Sequence, residues 1–200
     1  MSVSGTRLFL ITLLMLVGLF NSAIANDSNN YWGIQYNAVD YDDELGLTMK
    51  PTALVVRMGT FINDYLAVEG RIGFGFSDDE AIIDTGTDSV LGDYSASLGL
   101  DIESLFGFYV LGVMPVSSDF DLYGLIGVSS IDFGLTANLN TTNLGSISAT
   151  DSETENGLSY GVGTSIGMGE NSSLNLEYMS YLDKSDYTLN SINVGFLFNF

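Results

Sequence analysis

The sequence predicts an all-β fold: an eight-stranded antiparallel barrel that crosses a bilayer, behind an N-terminal signal peptide. Three observations predict it. First, the closing residues alternate, with Ile192, Val194, Phe196, Phe198 and Phe200 on one face and Ser191, Asn193, Gly195, Leu197 and Asn199 on the other. As the edge of a soluble sheet, such a strand would set bare aromatics beside unpaired backbone groups, an arrangement soluble proteins avoid. Second, no apolar run after residue 25 has the ~20 residues that a spanning helix needs. A membrane form must then be a closed barrel, because every backbone polar group in lipid needs an internal partner. Third, 23 Gly, 12 Phe and 11 Tyr, among abundant Ser, Thr and Asn, suit alternating strands better than helices.

The leader comes first in the chain. Arg7 supplies a basic start, Leu8–Phe20 is an apolar run too short to span, and Ala23-Ile24-Ala25 is a small-x-small cleavage site. Residues 1–25 are therefore expected to be a cleaved signal peptide and residues 26–200 a single barrel domain. There is no Cys, so neither a lipidated start, a disulfide nor thiolate chemistry is open to the chain.

Three short turns punctuate the remainder: Phe61–Tyr65, Pro115–Asp119 and Gly169–Ser172. With two free ends they make eight strands, the smallest common barrel. The segments after these turns align without a gap: Leu66-Ala67-Val68-Glu69-Gly70, Phe120-Asp121-Leu122-Tyr123-Gly124 and Leu174-Asn175-Leu176-Glu177-Tyr178. Their alternate apolar residues face lipid, which turns Ala67, Glu69, Asp121, Tyr123, Asn175 and Glu177 inward. A slip of one residue would expose every polar side chain to lipid, so the register is strongly specified.

The first strand, about 30–41, places Trp32, Ile34, Tyr36 and Ala38 outward against Gly33, Gln35 and Asn37. The second, about 51–61, places Leu54, Val56 and Met58 outward and Arg57 and Gly59 inward. Residues 105–114 are almost wholly apolar; Phe106, Phe108 and Val110 are assigned outward there. Around 158–168, Leu158, Tyr160, Val162, Ile166 and Met168 oppose Ser159, Gly161, Gly163, Ser165 and Gly167, glycines that leave room in a narrow lumen. Trp32, Tyr65, Phe120, Phe198 and Phe200 gather at the short-turn rim as an aromatic girdle. The opposite ends carry the acid in loops at 40–44, 77–93 and 183–186 and in a hairpin extension at 131–149 followed by Asp151, Glu153 and Glu155. A ten-stranded barrel would require that extension to cross lipid, and its Asn and Thr content argues against it.

The net charge is −20, and the only bases after the leader are Lys50, Arg57, Arg71 and Lys184. Nucleic acid is excluded as a partner, because it needs a basic face. Arg57 and Glu69 both face inward across the second hairpin. With the turn centred near Asn63 they sit directly opposite, giving an ion pair with Arg71 one step away and Glu177 across the lumen. A charge in a narrow lumen needs such partners. The absence of His removes Ser-His and Asp-His catalysis, and no cofactor is expected. Glu69 with Glu177 is the one inward carboxylate pair that acid–base chemistry could use. Asp40–Glu44 and Asp78–Glu80 lack the spacing and central Gly of a calcium loop, so they read as solvated surface or as loose divalent bridges to lipopolysaccharide. The run Gly70–Gly75 alternates as a strand with no helix behind it, so it is not a phosphate loop.

The closing octet and the stretch Gly59–Arg71 resemble the outer-membrane-protein β-barrel domain superfamily, which holds OmpA-type membrane domains and small OmpX- and Ail-like proteins. The resemblance covers the whole chain after the leader. It implies the outer membrane of a Gram-negative bacterium, with turns facing the periplasm and loops facing out. It implies that Asn193, Gly195, Phe198 and Phe200 belong to the signal read by the outer-membrane assembly machinery. It also implies outer-membrane lipid and lipopolysaccharide as surroundings. With the barrel expected to run to Phe200, the peptidoglycan-binding domain of full-length OmpA-type proteins is expected to be absent. Enzymes of that membrane depend on a His, so a non-enzymatic structural or surface-interacting role through acidic loops is expected. The alternative is a small transport barrel for ions or slim apolar solutes, with the Arg57–Glu69 layer as its gate, as is thought for OmpA-type barrels.

Overall fold

The computed structural model describes residues 29–43 and 46–200; the expected signal peptide and Glu44 lie outside the described residues. Eight strands close into a ring: β1 (Asn30–Asp43), β3 (Thr52–Asn63), β4 (Leu66–Ser77), β6 (Gly92–Ser117), β7 (Phe120–Thr141), β8 (Gly145–Gly167), β9 (Ser172–Asp183) and β10 (Tyr187–Asn199). Each pairs antiparallel with its neighbours, and β10 returns to β1 from Tyr31↔Asn199 to Asp43↔Tyr187. No edge remains within the ring, which is what lets a sheet sit in hydrocarbon. Two further strands lie off it. The short β2 (Thr48–Met49) folds back on β1, and β5 (Asp79–Asp88) pairs with the upper part of β6.

The alternation expected from the sequence is the alternation observed. Ile34, Val56, Ile72, Val128, Val162 and Val194 point to lipid, each more than two-fifths exposed. Gly33, Gln35, Asn37, Arg57, Glu69 and Asn175 are buried inside. The ambiguous apolar stretch resolves with Leu105, Gly107, Tyr109 and Leu111 inward and Phe106, Phe108 and Val110 outward. At the short-turn end Trp32 stacks on Phe198, ring centroids 4.9 Å apart.

The segment 77–93 is where the structure departs from the expected loop. It is a β-hairpin, and together with the 131–149 hairpin it builds a four-stranded sheet, β5–β6–β7–β8, that rises past the barrel. Strands β6, β7 and β8 run 26, 22 and 23 residues, about twice the ~9–11 that a bilayer requires. Acid-rich composition hid this, because Ala81-Ile82-Ile83 and Thr85/Thr87 keep strand propensity between the aspartates. A bulge at Glu103 resets the side-chain parity of β6, so Ile102 and Leu100 join Ile131 and Phe133 on the inner face. Both hairpin tips use glycines in the left-handed region, Gly92 (φ 74°) and Gly145 (φ 83°).

The lumen is packed along its length. Val39, Ala53, Val55, Leu105, Ile131, Met179, Leu182 and Leu189 fill the half toward the long hairpins, and Tyr31, Ala67, Leu111, Tyr123 and Leu125 the half toward the short turns. One charged layer lies between.

Candidate functional site

Four inward positions on three strands converge in that layer: Arg57 from β3, Glu69 and Arg71 from β4, and Glu177 from β9. All four are at most 4% exposed. Arg57 grips Glu69 with two parallel bonds, Nε to Oε1 at 3.1 Å and Nη2 to Oε2 at 2.8 Å. Arg71 does the same to Glu177, with Nη1 to Oε1 at 2.6 Å and Nη2 to Oε2 at 2.8 Å. The two pairs are joined, because Arg71 Nε also donates to Glu69 at 2.6 Å and Arg57 Nη2 lies 3.9 Å from Glu177. Two guanidinium forks and two carboxylates make a neutral quartet of charge-assisted bonds.

Neutral donors complete it. Tyr31 donates to Glu69 at 2.7 Å, and Tyr123 donates to Glu177 at 3.1 Å. Gln35 and Asn193 donate amide hydrogens to Glu177 at 3.2 and 3.0 Å, while Gln35 Oε1 accepts from Arg57. The ring of Tyr109 lies 4.7 Å from the Arg71 guanidinium carbon, a cation–π contact. A buried charge left without partners would cost several kcal/mol; each of these has three or more.

The register that brings Arg57 and Glu69 together differs from the expected one. Arg57 lies directly opposite Arg71, and Glu69 opposite Gly59. The turn is Asp64–Tyr65, one residue beyond Asn63, and a bulge at Ile62 absorbs the offset. Asn63 fixes that turn by accepting the Tyr65 amide at 2.9 Å. The Arg57–Glu69 contact is thus a diagonal one, within reach of long side chains. Two arginines facing each other would repel; Glu69 is wedged against both and Glu177 closes the far side.

Glycines make space for the surrounding aromatics. A Cβ on Gly59 would overlap the Tyr31 ring, and one on Gly163 the Tyr123 ring. Inward parity was legible for Gln35 and Tyr123, but their bonds to the quartet were not. Tyr31, Tyr109 and the bond from Asn193 to Glu177 were missed. Tyr31 could have been found by extending the Gly33–Gln35–Asn37 parity back one step.

The other named positions are placed as follows. Gly195 is buried on β10 opposite Gln35, Phe198 faces outward against Trp32, and the Phe200 amide bonds the Asn30 carbonyl at 2.9 Å. At the outer mouth Tyr41 stacks on Tyr187, centroids 5.5 Å apart, a neighbour that sequence distance concealed. Among the described residues no group of three or more His, Cys, Asp or Glu side chains converges to hold a metal ion.

The lumen layer and the ring around it have known counterparts in architecture. No curated protein is significantly similar in sequence. Among solved structures the chain is similar to Ail, the attachment invasion locus protein of Yersinia pestis, with TM-score 0.54, 16% identity, and 86% of this chain and 99% of that one covered. It is also similar to Neisserial surface protein A, with TM-score 0.53, 16% identity, and 86% and 97% covered. OprG of Pseudomonas aeruginosa follows, with TM-score 0.50, 12% identity, and 86% and 96% covered. These likenesses establish the fold. The family model described as the outer membrane protein beta-barrel domain matches residues 9–200, and the chain belongs to that family of Gram-negative outer-membrane proteins.

Proposed function

We propose that this is a non-enzymatic surface protein: a filled, rigid barrel that presents an acidic outer sheet to a basic partner. The observation that carries this reading is the sheet itself. It holds Asp84, Asp88, Asp101, Asp151 and Glu153 beyond the lipid-facing belt. The two lysines at that end are already engaged, Lys50 with Asp40 at 3.7 Å and Lys184 with Glu155 at 3.2 Å. Ail has been crystallised with the heparin analogue sucrose octasulfate, a polyanion that this surface would repel. Opposite charge steers association and is screened by salt. In lipid nanodiscs, polylysine should bind the refolded barrel in a salt-sensitive way and heparin should not. Heparin binding, or polylysine binding indifferent to salt and to Asp151→Asn with Glu153→Gln, would contradict the reading.

Catalysis finds no support in the chain. It has no His and no Cys, and Glu69 and Glu177 of the lumen layer have their oxygens taken by arginine, tyrosine and amide donors. A second reading, a gated pore, rests on one specific feature. Asn37 Oδ1, both polar atoms of the Asn175 side chain, Ser191 Oγ and Asn193 Oδ1 are buried without a protein partner along the β1–β10–β9 wall. A hydrated file there would open only if the quartet re-paired. Ion conductance of the refolded chain separates the two readings.

The ends of the chain complete the proposal. Residues 1–25 are read as a signal peptide removed on export, so sequencing of the exported protein should begin at Asn26. The octet ending Phe198-Asn199-Phe200 is read as the assembly signal, and deleting Phe200 should slow membrane insertion without changing the refolded barrel.

A further inference from the structure

We infer that the outer wall of β6–β7–β8 holds a site for one acyl chain of an outer-leaflet lipid. The three strands change from apolar to polar at one level. Phe108, Val128 and Leu158 form one outward row by register; Phe106, Ser130 and Asn156 form the next; Ser104, Asp132 and Thr154 form the third. In the third row Ser104 donates to Asp132 at 2.6 Å, so it belongs to water. The middle row therefore straddles the hydrocarbon boundary.

A groove of about 320 Å³ lies there, walled by Phe106, Phe108 and Val128, with Ser130, Asn156 and Gly157 at its polar end. That volume is at the low end for small-ligand sites, roughly 300–1,000 Å³, and suits a single chain. The groove is continuous with the lipid-facing belt, where Val128 is 56% and Leu158 61% exposed, so lipid is the occupant already in contact with its lower end. The β8–β9 ladder stops at Tyr160↔Ser180, leaving the β8 edge free just where the groove opens. Lys184 Nζ caps the Asn156 carbonyl there at 3.1 Å and pairs with Glu155 at 3.2 Å. Its charge is thus compensated, and the site selects by chain contact and by hydrogen bonds from Ser130 and Asn156 to the lipid's carbonyl linkage, not by head-group charge.

The test uses the refolded protein in nanodiscs containing a trace of phosphatidylcholine with a diazirine on one acyl chain. After irradiation, adducts located by mass spectrometry should concentrate on Phe106, Phe108 and Val128 relative to Ile34 on the opposite wall. High salt should leave this pattern unchanged. Ser130→Trp and, independently, Val128→Trp fill the groove. Each should cut labelling there by roughly fourfold or more, the factor for about one buried methylene. Gel mobility of the folded form verifies each variant. Labelling spread evenly around the belt, loss of the enrichment in salt, or enrichment that survives both folded variants would overturn the assignment.

Discussion

The lumen layer and the outer sheet treat charge in opposite ways. Inside, two arginines and two carboxylates are matched one for one and each is held by several bonds. Outside, the acids of β5 to β8 greatly outnumber Lys50 and Lys184, and their other partners are neutral hydroxyls and amides such as Ser104 and the Val90 amide. The difference follows from dielectric surroundings. An unpaired charge in the packed interior costs several kcal/mol, whereas an exposed one costs little and acts on partners through its long-range field. Giving both regions one role would misread the chain: the interior acids, Glu69 and Glu177, are bound to arginine, and the exterior acids leave a net negative field.

The comparison is broken most strongly from the inside. Glu177→Ala leaves Arg71 buried with two of its three hydrogen bonds gone and should destabilise the barrel by about 3–5 kcal/mol, read from urea unfolding in lipid vesicles. The double variant Arg71→Met with Glu177→Leu should recover most of that loss, because an apolar replacement of a buried pair is often neutral. A double variant as unstable as the single one would mean the quartet is not a closed unit. Next in size, Gly163→Val forces a side chain into the Tyr123 ring and should cost about 1–3 kcal/mol by overpacking.

The exterior should respond weakly. Asp151→Asn with Glu153→Gln is expected to stay within about 0.5 kcal/mol of the parent, while reducing the capture of polylysine. The smallest effect is local and depends on pH. The Asp88 carboxylate accepts the Val90 and Leu91 amides at 2.7 and 3.1 Å, which holds its pKa below the usual carboxylate value. A lowered folded-state pKa stabilises the hairpin above the ordinary value of about 3.9 and loses that contribution as pH falls through the folded one. As pH falls through that folded-state value, the Val90 amide should lose protection, relative to its intrinsic exchange rate, that the Leu144 amide at the other tip keeps, because Leu144 donates to the Thr141 hydroxyl.

The same contrast explains what could be read in advance. The barrel was legible because lipid outside and a narrow lumen inside enforce strict alternation, and a one-residue slip would reverse every side chain. The membership of the lumen cluster followed from that parity for Arg57, Glu69, Arg71 and Glu177. Their register did not, because the Ile62 bulge and the Asp64–Tyr65 turn shift β4 by two positions against the expected hairpin. Long-range partners such as Tyr31, Gln35 and Asn193 were hidden because ring closure brings them together from the two ends of the chain. Outside the bilayer no such constraint acts, and acid scattered through Ser77–Asp93 reads as loop although the structure makes it β5 and the start of β6.

Single-channel recording of the refolded chain in a planar bilayer, beside Glu69→Ala, bears most directly on the claim that the interior is sealed. The packed lumen predicts no discrete openings from the parent chain. Unitary openings in the parent that change size or frequency with Glu69→Ala would contradict it and make the Arg57–Glu69 layer a gate.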